Sequence, residues 1–286
     1  MLSLFDRSLP VAMQMRSVKA DHINAFLRGR QLSRASQASY YRHLRSFFNW
    51  AANAGAIEAN PIQEVAPPKN PKNPALYFTV ADIRRVLIAI EEPWLRHIVR
   101  FAVCTGLRRG ELINLRWRFV NLSPSNAWIT VQGYGDFETK SGHGRSIPLV
   151  AEARGVLEER YGAGYAPDSY VFTDGKGGRL LGARVTKAFK RAVRVGGLDD
   201  RLHFHSLRHT CASWLVMHGQ SLLFVAGVLG HSSTQVTQRY AHLAPDSMSN
   251  GMHRALGGIS LGDTRTLPQG DRTTTPIEPL AELASE

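Results

Sequence analysis

Apolar and polar positions alternate along this chain mostly with a helical period. Ile23, Phe26 and Leu27 mark one side of a helix over Lys19–Arg28. Tyr40, Leu44, Phe47, Phe48 and Ala51 stand at i, i+4, i+7, i+8 and i+11 and predict a second helix over Ser36–Ala54, closed by Gly55 at its C-terminal cap. Residues 17–65 thus read as a small helical bundle with that aromatic stripe in its core. The run APPKNPKNPA over 66–75 places Pro67, Pro68, Pro71 and Pro74 too close together for a helix, and predicts an extended, stiff connector. Beyond it, Thr79 caps a helix VADIRRVLIAI, and Trp94–Val103 gives another. Period-two runs at Trp128–Val131 and Arg145–Leu149 flank the Gly-rich QGYGDFETKSGHG, which reads as a β-hairpin, with Tyr170–Thr173 as a third strand. Helices follow at 182–195, 206–218, 221–229 and 233–240. The expected fold class is mainly α with a small antiparallel β-sheet (α+β), in two domains.

Length agrees, since 286 residues at roughly 150 per domain suggest about two. Thirty-five Lys and Arg stand against 23 acids, a net charge of +12, so a polyanion is the expected partner. Residues 1–75 hold ten basic and four acidic side chains. Arg28, Arg30, Arg34, Arg42 and Arg45 fall off the aromatic stripe, and Lys69 and Lys72 lie in the connector, so all seven are candidate phosphate contacts. The stretch 263–286 carries two basic and five acidic residues among Thr and Pro and reads as a disordered acidic tail from residue 258 on. Two cysteines, Cys104 and Cys211, exclude a disulfide framework and suit a reducing cytoplasm. No apolar run reaches the roughly 18 residues of a membrane helix.

Chemistry concentrates in three segments. In CTGLRRGE, Arg108 follows a Gly break at a helix start, where dipole and guanidinium face one anion, and Glu111 lies three residues on to brace it. In HFHSLRH, His205 and Arg208 at i, i+3 join a proton-transfer group to a bidentate phosphate ligand. His205 and His209 at i, i+4 could hold zinc, but the segment lacks the Glu of a zincin helix and a third ligand, so no metal is expected and His209 reads as a buried structural residue. In GHSSTQVTQRYAH, Tyr240 follows His231 by nine residues. A phenol attacks phosphorus where cations stabilise its anion and the pentavalent transition state.

The segments CTGLRRGELINLRW, TKSGHGRSIPL, HFHSLRHT and LGHSSTQVTQRYAHL, in this order, closely resemble the tyrosine recombinase (phage integrase) family over about residues 17–257. The resemblance implies a catalytic set of Arg108, Lys140, His205, Arg208, His231 and Tyr240, with Glu111 supporting the first arginine and Arg109 a bystander. Arg108 and Arg208 would bind the scissile phosphate, and Lys140, on the hairpin loop, would protonate the leaving 5′-oxygen. His205 would help move the tyrosine proton, and His231 would hydrogen-bond a phosphate oxygen. The product would be a 3′-phosphotyrosyl link that needs neither ATP, metal nor other cofactor. Ser206 departs from the Asp of many members, at a position that does not touch phosphate.

On this resemblance residues 1–65 are a helical DNA-clamp domain, about one helix short ahead of residue 17. Residues 66–78 are the linker, 79–257 the catalytic domain and 258–286 the tail. The expected activity is site-specific cleavage and rejoining of duplex DNA, by integration, excision or resolution. A type IB topoisomerase-like relaxase and a DNA-binding protein without catalysis are the alternatives. Met248, Met252 and Leu256 form an apolar stripe, and in the family a helix such as 246–257 docks on a neighbouring subunit, which implies a homotetramer on two DNA sites. Accessory DNA-bending proteins are further expected partners, and the location expected is cytoplasmic, on the nucleoid.

Overall fold

A computed structural model describes residues 2–29, 32–69, 75–139, 142, 144–162, 164–174 and 177–244. The chain divides into two compact units, residues 1–74 and 75–286. In the first, α1 (Leu2–Asp6), α2 (Ala20–Arg28) and α3 (Arg34–Asn53) enclose one core. Ser33 starts α3 by accepting the amide of Ser36 on its side chain. The buried stripe of α3 is Tyr41, Leu44, Phe48 and Ala51, so the expected Tyr40 is replaced by its neighbour. The Tyr41 hydroxyl reaches the Val65 carbonyl at 3.3 Å, and that bond lets the phenol go inside. Tyr40 and Phe47 flank the core half-buried, Tyr40 with its ring edge-on to Phe26 at 5.4 Å. The segment ahead of residue 17 contributes to this core after all: Phe5 of α1 is buried, with its ring 5.2 Å from Phe26 and 6.1 Å from Phe48.

The second unit is mostly helical around a small sheet. Thr79 and Asp82 cap α4 (Val80–Ala89) reciprocally, each side chain accepting the other's amide. Pro93 opens α5 (Pro93–Thr105), whose Leu95, Ile98, Val99 and Ala102 are buried, and the short α6 (Arg109–Ile113) follows. Strands β1 (Val120–Asn121), β2 (Trp128–Val131) and β3 (Arg145–Pro148) form an antiparallel sheet in that order. Val131 pairs with Arg145, which closes the hairpin whose loop holds position 140.

Next come α7 (Ala151–Tyr161), α8 (Gly182–Val195), α9 (Phe204–Met217) and α10 (Leu222–Leu229). The third strand of the sheet is Val120–Asn121 and not the expected Tyr170–Thr173, which makes isolated bridges from Tyr170 to Arg116 and from Thr173 to Arg179. The expected helix 233–240 is instead two 3-10 segments, Thr234–Val236 and Gln238–Leu243. Ser233 and the Thr-rich run compete with helical backbone bonds there, the Ser233 hydroxyl accepting the Gln235 amide. α7 was not anticipated, because only Ala153, Val156 and Leu157 of its eleven residues are buried. Among the described residues no helix is long and apolar enough to cross a membrane.

Phe48 is fully buried at the centre of the first core. Phe48→Ala should therefore cost about 3–5 kcal/mol of that unit's stability, read as a lower denaturant midpoint in Trp50 fluorescence; an unchanged midpoint would remove Phe48 from the core.

Candidate active site

The site is assembled around the end of α10. Gly230 closes that helix in the left-handed region (φ +65°), which leaves its last carbonyls free of intrahelical partners. Three successive carbonyls there each accept from a different arginine. Arg145 Nε donates to Val228 O at 2.9 Å, Arg208 Nη2 to Leu229 O at 2.6 Å, and Arg108 Nη2 to Gly230 O at 3.0 Å. The helix macrodipole puts negative potential at this same end.

Each arginine is fixed a second time. Gly106 ends α5 at φ +62°, and its carbonyl accepts Arg208 Nη1 at 2.8 Å. A Cβ on Gly106 would stand 2.5 Å from Leu229 Cδ2 and 3.2 Å from Cys211 Sγ, and the left-handed φ adds strain, so a larger residue here would push these side chains aside. Arg108 caps α6, and Glu111 accepts both its backbone amide (2.9 Å) and its Nη1 (2.7 Å). Arg145 grips the same carboxylate in fork geometry, at 3.1 and 2.8 Å. Glu111 is buried. Burial alone would raise its carboxyl, but Arg145 and then Arg108 overcome this and hold it below the usual carboxylate range.

Arg208 is 3% exposed, and both its described hydrogen bonds go to neutral carbonyls. Burial, and next the Arg108 charge, push it down to about 10, so it is still a cation at neutral pH. Its helix α9 begins at His203, whose amide donates to the Ser206 hydroxyl at 3.2 Å, so the serine at this position serves as a cap. His205 lies exposed on the first turn of α9, with its ring edge-on to His209 at 4.9 Å. His231, directly after Gly230, is half-buried and bonds through Nδ1 to the Thr237 hydroxyl at 2.8 Å. Burial first and Arg208 second hold the half-buried His231 at about 4.

Tyr240 lies in the 3-10 segment Gln238–Leu243, 2% exposed, packed with Ala212, Val216, Val225 and Leu229. Its hydroxyl is 2.6 Å from His209 Nδ1. Burial raises the phenol, against the opposing charges of Arg239 and Arg208.

The structure thus gathers Arg108, Glu111, Arg208, His205, His231 and Tyr240 in one unit. Lys140 lies outside the described residues, as do Arg30, Lys72, the segment 246–257 and the tail. In the first unit Arg28, Arg34, Arg42, Arg45 and Lys69 are exposed. Arg109 is exposed and donates to the Thr186 hydroxyl. Among the described residues no three His, Cys, Asp or Glu side chains cluster as a metal site would need. Sequence reasoning missed Arg145, although β-alternation puts it on the same strand face as buried Ile147, and an arginine on a buried face signals a buried partner. His209, read from the sequence as a buried structural residue, is half-buried and hydrogen-bonds the Tyr240 hydroxyl.

Replacing Glu111 would leave two guanidiniums without their shared counter-charge. Glu111→Gln should lower stability by about 3–5 kcal/mol at pH 7. Because the native carboxyl titrates below its ordinary value of 4.5, its contribution is complete above that value and fades as pH falls through the folded pKa. The gap between wild type and Glu111→Gln in melting temperature should then narrow below about pH 4; a gap independent of pH would remove charge from the explanation.

Comparison with known proteins identifies the family. The model of the phage integrase family matches residues 77–247. The integrase of Salmonella phage P22 is 31% identical over 201 residues, 68% of this chain and 50% of that protein, so the chain spans about half the length of that relative. The tyrosine recombinase XerC of Escherichia coli O157:H7 is 31% identical over 220 residues, 76% of this chain and 72% of XerC. In fold, the chain is similar to lambda integrase (TM-score 0.69, 21% identity, covering 84% of this chain and 85% of that one) and to the Tn1549 transposon integrase (TM-score 0.73, 20% identity, covering 88% and 90%). With a family match over more than half its length, and a recombinase relative of which it covers more than two thirds, the chain belongs to the phage integrase family of tyrosine recombinases.

Proposed function

We propose that this protein is a site-specific recombinase that cleaves and rejoins duplex DNA through a 3′-phosphotyrosyl intermediate on Tyr240. One observation carries the reading. Three guanidiniums converge on one helix end with a single described carboxylate, Glu111, in contact with them, and the most buried of them, Arg208, is held only by carbonyls. An excess of fixed cations in a desolvated setting is a site for an anion, and a phosphodiester brings the required charge. Arg108 and Arg208 bind its non-bridging oxygens and stabilise the pentavalent transition state, and His231 donates to a phosphate oxygen. Tyr240 attacks phosphorus with help from the α9 histidines, among them His205. Lys140 protonates the leaving 5′-oxygen. The phosphotyrosyl link conserves the phosphodiester's energy, so rejoining draws on no ATP or metal.

The DNA partner is supported by the charge of +12 and by the solved relatives. Lambda integrase has been seen as a dimer bound to a core site and as a tetramer bound to a Holliday junction, and the Tn1549 integrase in complex with a circular intermediate DNA. In this reading the exposed arginines of the first unit track phosphates, with Lys69 and Lys72 in the connector. The protein assembles as a homotetramer on two DNA sites through residues 246–257. The exposed Leu223 and Phe224 of α10 support a second copy as the partner, since large apolar groups side by side on a surface are costly unless covered. The work is done on the nucleoid, with DNA-bending proteins as accessories.

Covalent trapping on a library of nicked duplexes tests the reading, because the short cleaved fragment diffuses away and the adduct accumulates. Tyr240→Phe should abolish the adduct and leave DNA binding intact, whereas an equal loss of binding would make Tyr240 structural. Arg208→Ala should slow adduct formation by on the order of 10²–10³-fold, and a near-normal rate would remove Arg208 from the site. EDTA should leave the rate unchanged; inhibition reversed by zinc would contradict a metal-free mechanism.

A further inference from the structure

A buried phenol cannot hand its proton to bulk water, so a nucleophilic Tyr240 needs an acceptor already in contact with it. Its hydrogen bond goes to Nδ1 of His209 at 2.6 Å, and not to His205. His209 stands one residue after Arg208 and one helical turn after His205, with half-buried surroundings and its ring 6.0 Å from that of Tyr240. His205 is exposed, and its ring stands edge-on to that of His209 at 4.9 Å.

We propose that His209 is the catalytic base that takes the Tyr240 proton during strand cleavage and returns it on rejoining. The inference rests on the reading of Tyr240 as nucleophile. In the step, the bond from Tyr240 Oη to phosphorus forms while the phosphorus–O5′ bond breaks. The phenolic proton passes to His209 Nδ1, giving an imidazolium, and the leaving 5′-oxygen takes its proton from Lys140. Charge is conserved, and the reverse reaction restores both groups. For Nδ1 to accept, the neutral ring carries its proton on Nε2.

The surroundings make this base conditional on substrate. Burial first, then His205, Arg239, His203 and Arg208, hold His209 down at about 3, while Tyr240 itself lies above its ordinary value. Proton transfer is thus uphill in the DNA-free site. A phosphodiester seated on Arg108 and Arg208 adds a negative charge that offsets those cations and raises the imidazole toward the working range. The nucleophile is activated once the phosphate is in place.

Single-turnover adduct formation on the nicked-duplex library, with gel-shift binding and melting temperature measured alongside, tests the assignment. At pH 7, His209→Gln and His209→Ala should each slow the reaction by on the order of 10²-fold, with non-specific DNA binding unchanged. The deficit of His209→Gln should shrink as pH rises toward the phenol's own ionisation, which burial places above the ordinary tyrosine range. Added imidazole should restore His209→Ala by about tenfold, which no purely structural role explains. The proposal is overturned if the variants react as wild type does, or if their loss is indifferent to both pH and imidazole; either result leaves Tyr240 as nucleophile. Absence of a Tyr240-dependent adduct with the wild-type protein would overturn both readings together.

Discussion

The open carbonyl end of α10 is the constraint on which the site depends. Guanidiniums are expensive to desolvate, and three of them at one place repel one another. Val228, Leu229 and Gly230 each offer a carbonyl that the helix itself does not use, and each takes one arginine. Glu111 then neutralises one charge of the three from below. The two turns that allow this packing are the left-handed glycines at 106 and 230. A Cβ on Gly230 would meet Arg145 Nη1 at 2.8 Å, as one on Gly106 would meet Leu229. Each arginine is therefore anchored to backbone at one point, and those backbone positions are set by the cores of α5, α9 and α10.

One electrostatic consequence is shared by the half-buried imidazoles and the phenol. Desolvation and surplus positive charge both disfavour protonated imidazole, so the half-buried His209 and His231 are driven to about 3 and about 4. The same cations favour a phenolate at Tyr240, but burial outweighs them. The arrangement is one of stored tension that an anion relieves. It is consistent with chemistry in which phosphate binding and nucleophile activation are a single event.

Much of the fold was legible because helical periodicity is strong in α2, α4, α5 and α8, where apolar residues recur on one face. Legibility failed where local signals were weak or outvoted. Tyr41 took the buried position through a hydroxyl partner 24 residues away, which no local pattern shows. α7 carries too few apolar residues to announce itself, and the Thr-rich run before Tyr240 settled into 3-10 turns. The candidate site was legible as an ordered set of motifs resembling one family, and the structure brings Arg108, His205, Arg208, His231 and Tyr240 into one unit, with Arg108 and His231 following the turns at Gly106 and Gly230. Arg145 and His209 were not, because their meaning lies in what they touch: a carboxylate on α6 and a phenol 31 residues on.

The central claim, that the α10 terminus builds the phosphate site, is tested most directly by moving that terminus alone. Gly230→Ala places a methyl against Arg145 and strains a left-handed residue, whereas Gly227→Ala, three residues earlier on the same helix, meets no atom within 4 Å. Rates of covalent adduct formation on nicked duplexes should be compared for the two variants, both confirmed as folded. The account predicts a loss on the order of 10²-fold for Gly230→Ala and a wild-type rate for Gly227→Ala. Equal, near-normal rates for both would contradict it, and would mean that the arginines find the phosphate without the helix end that holds them.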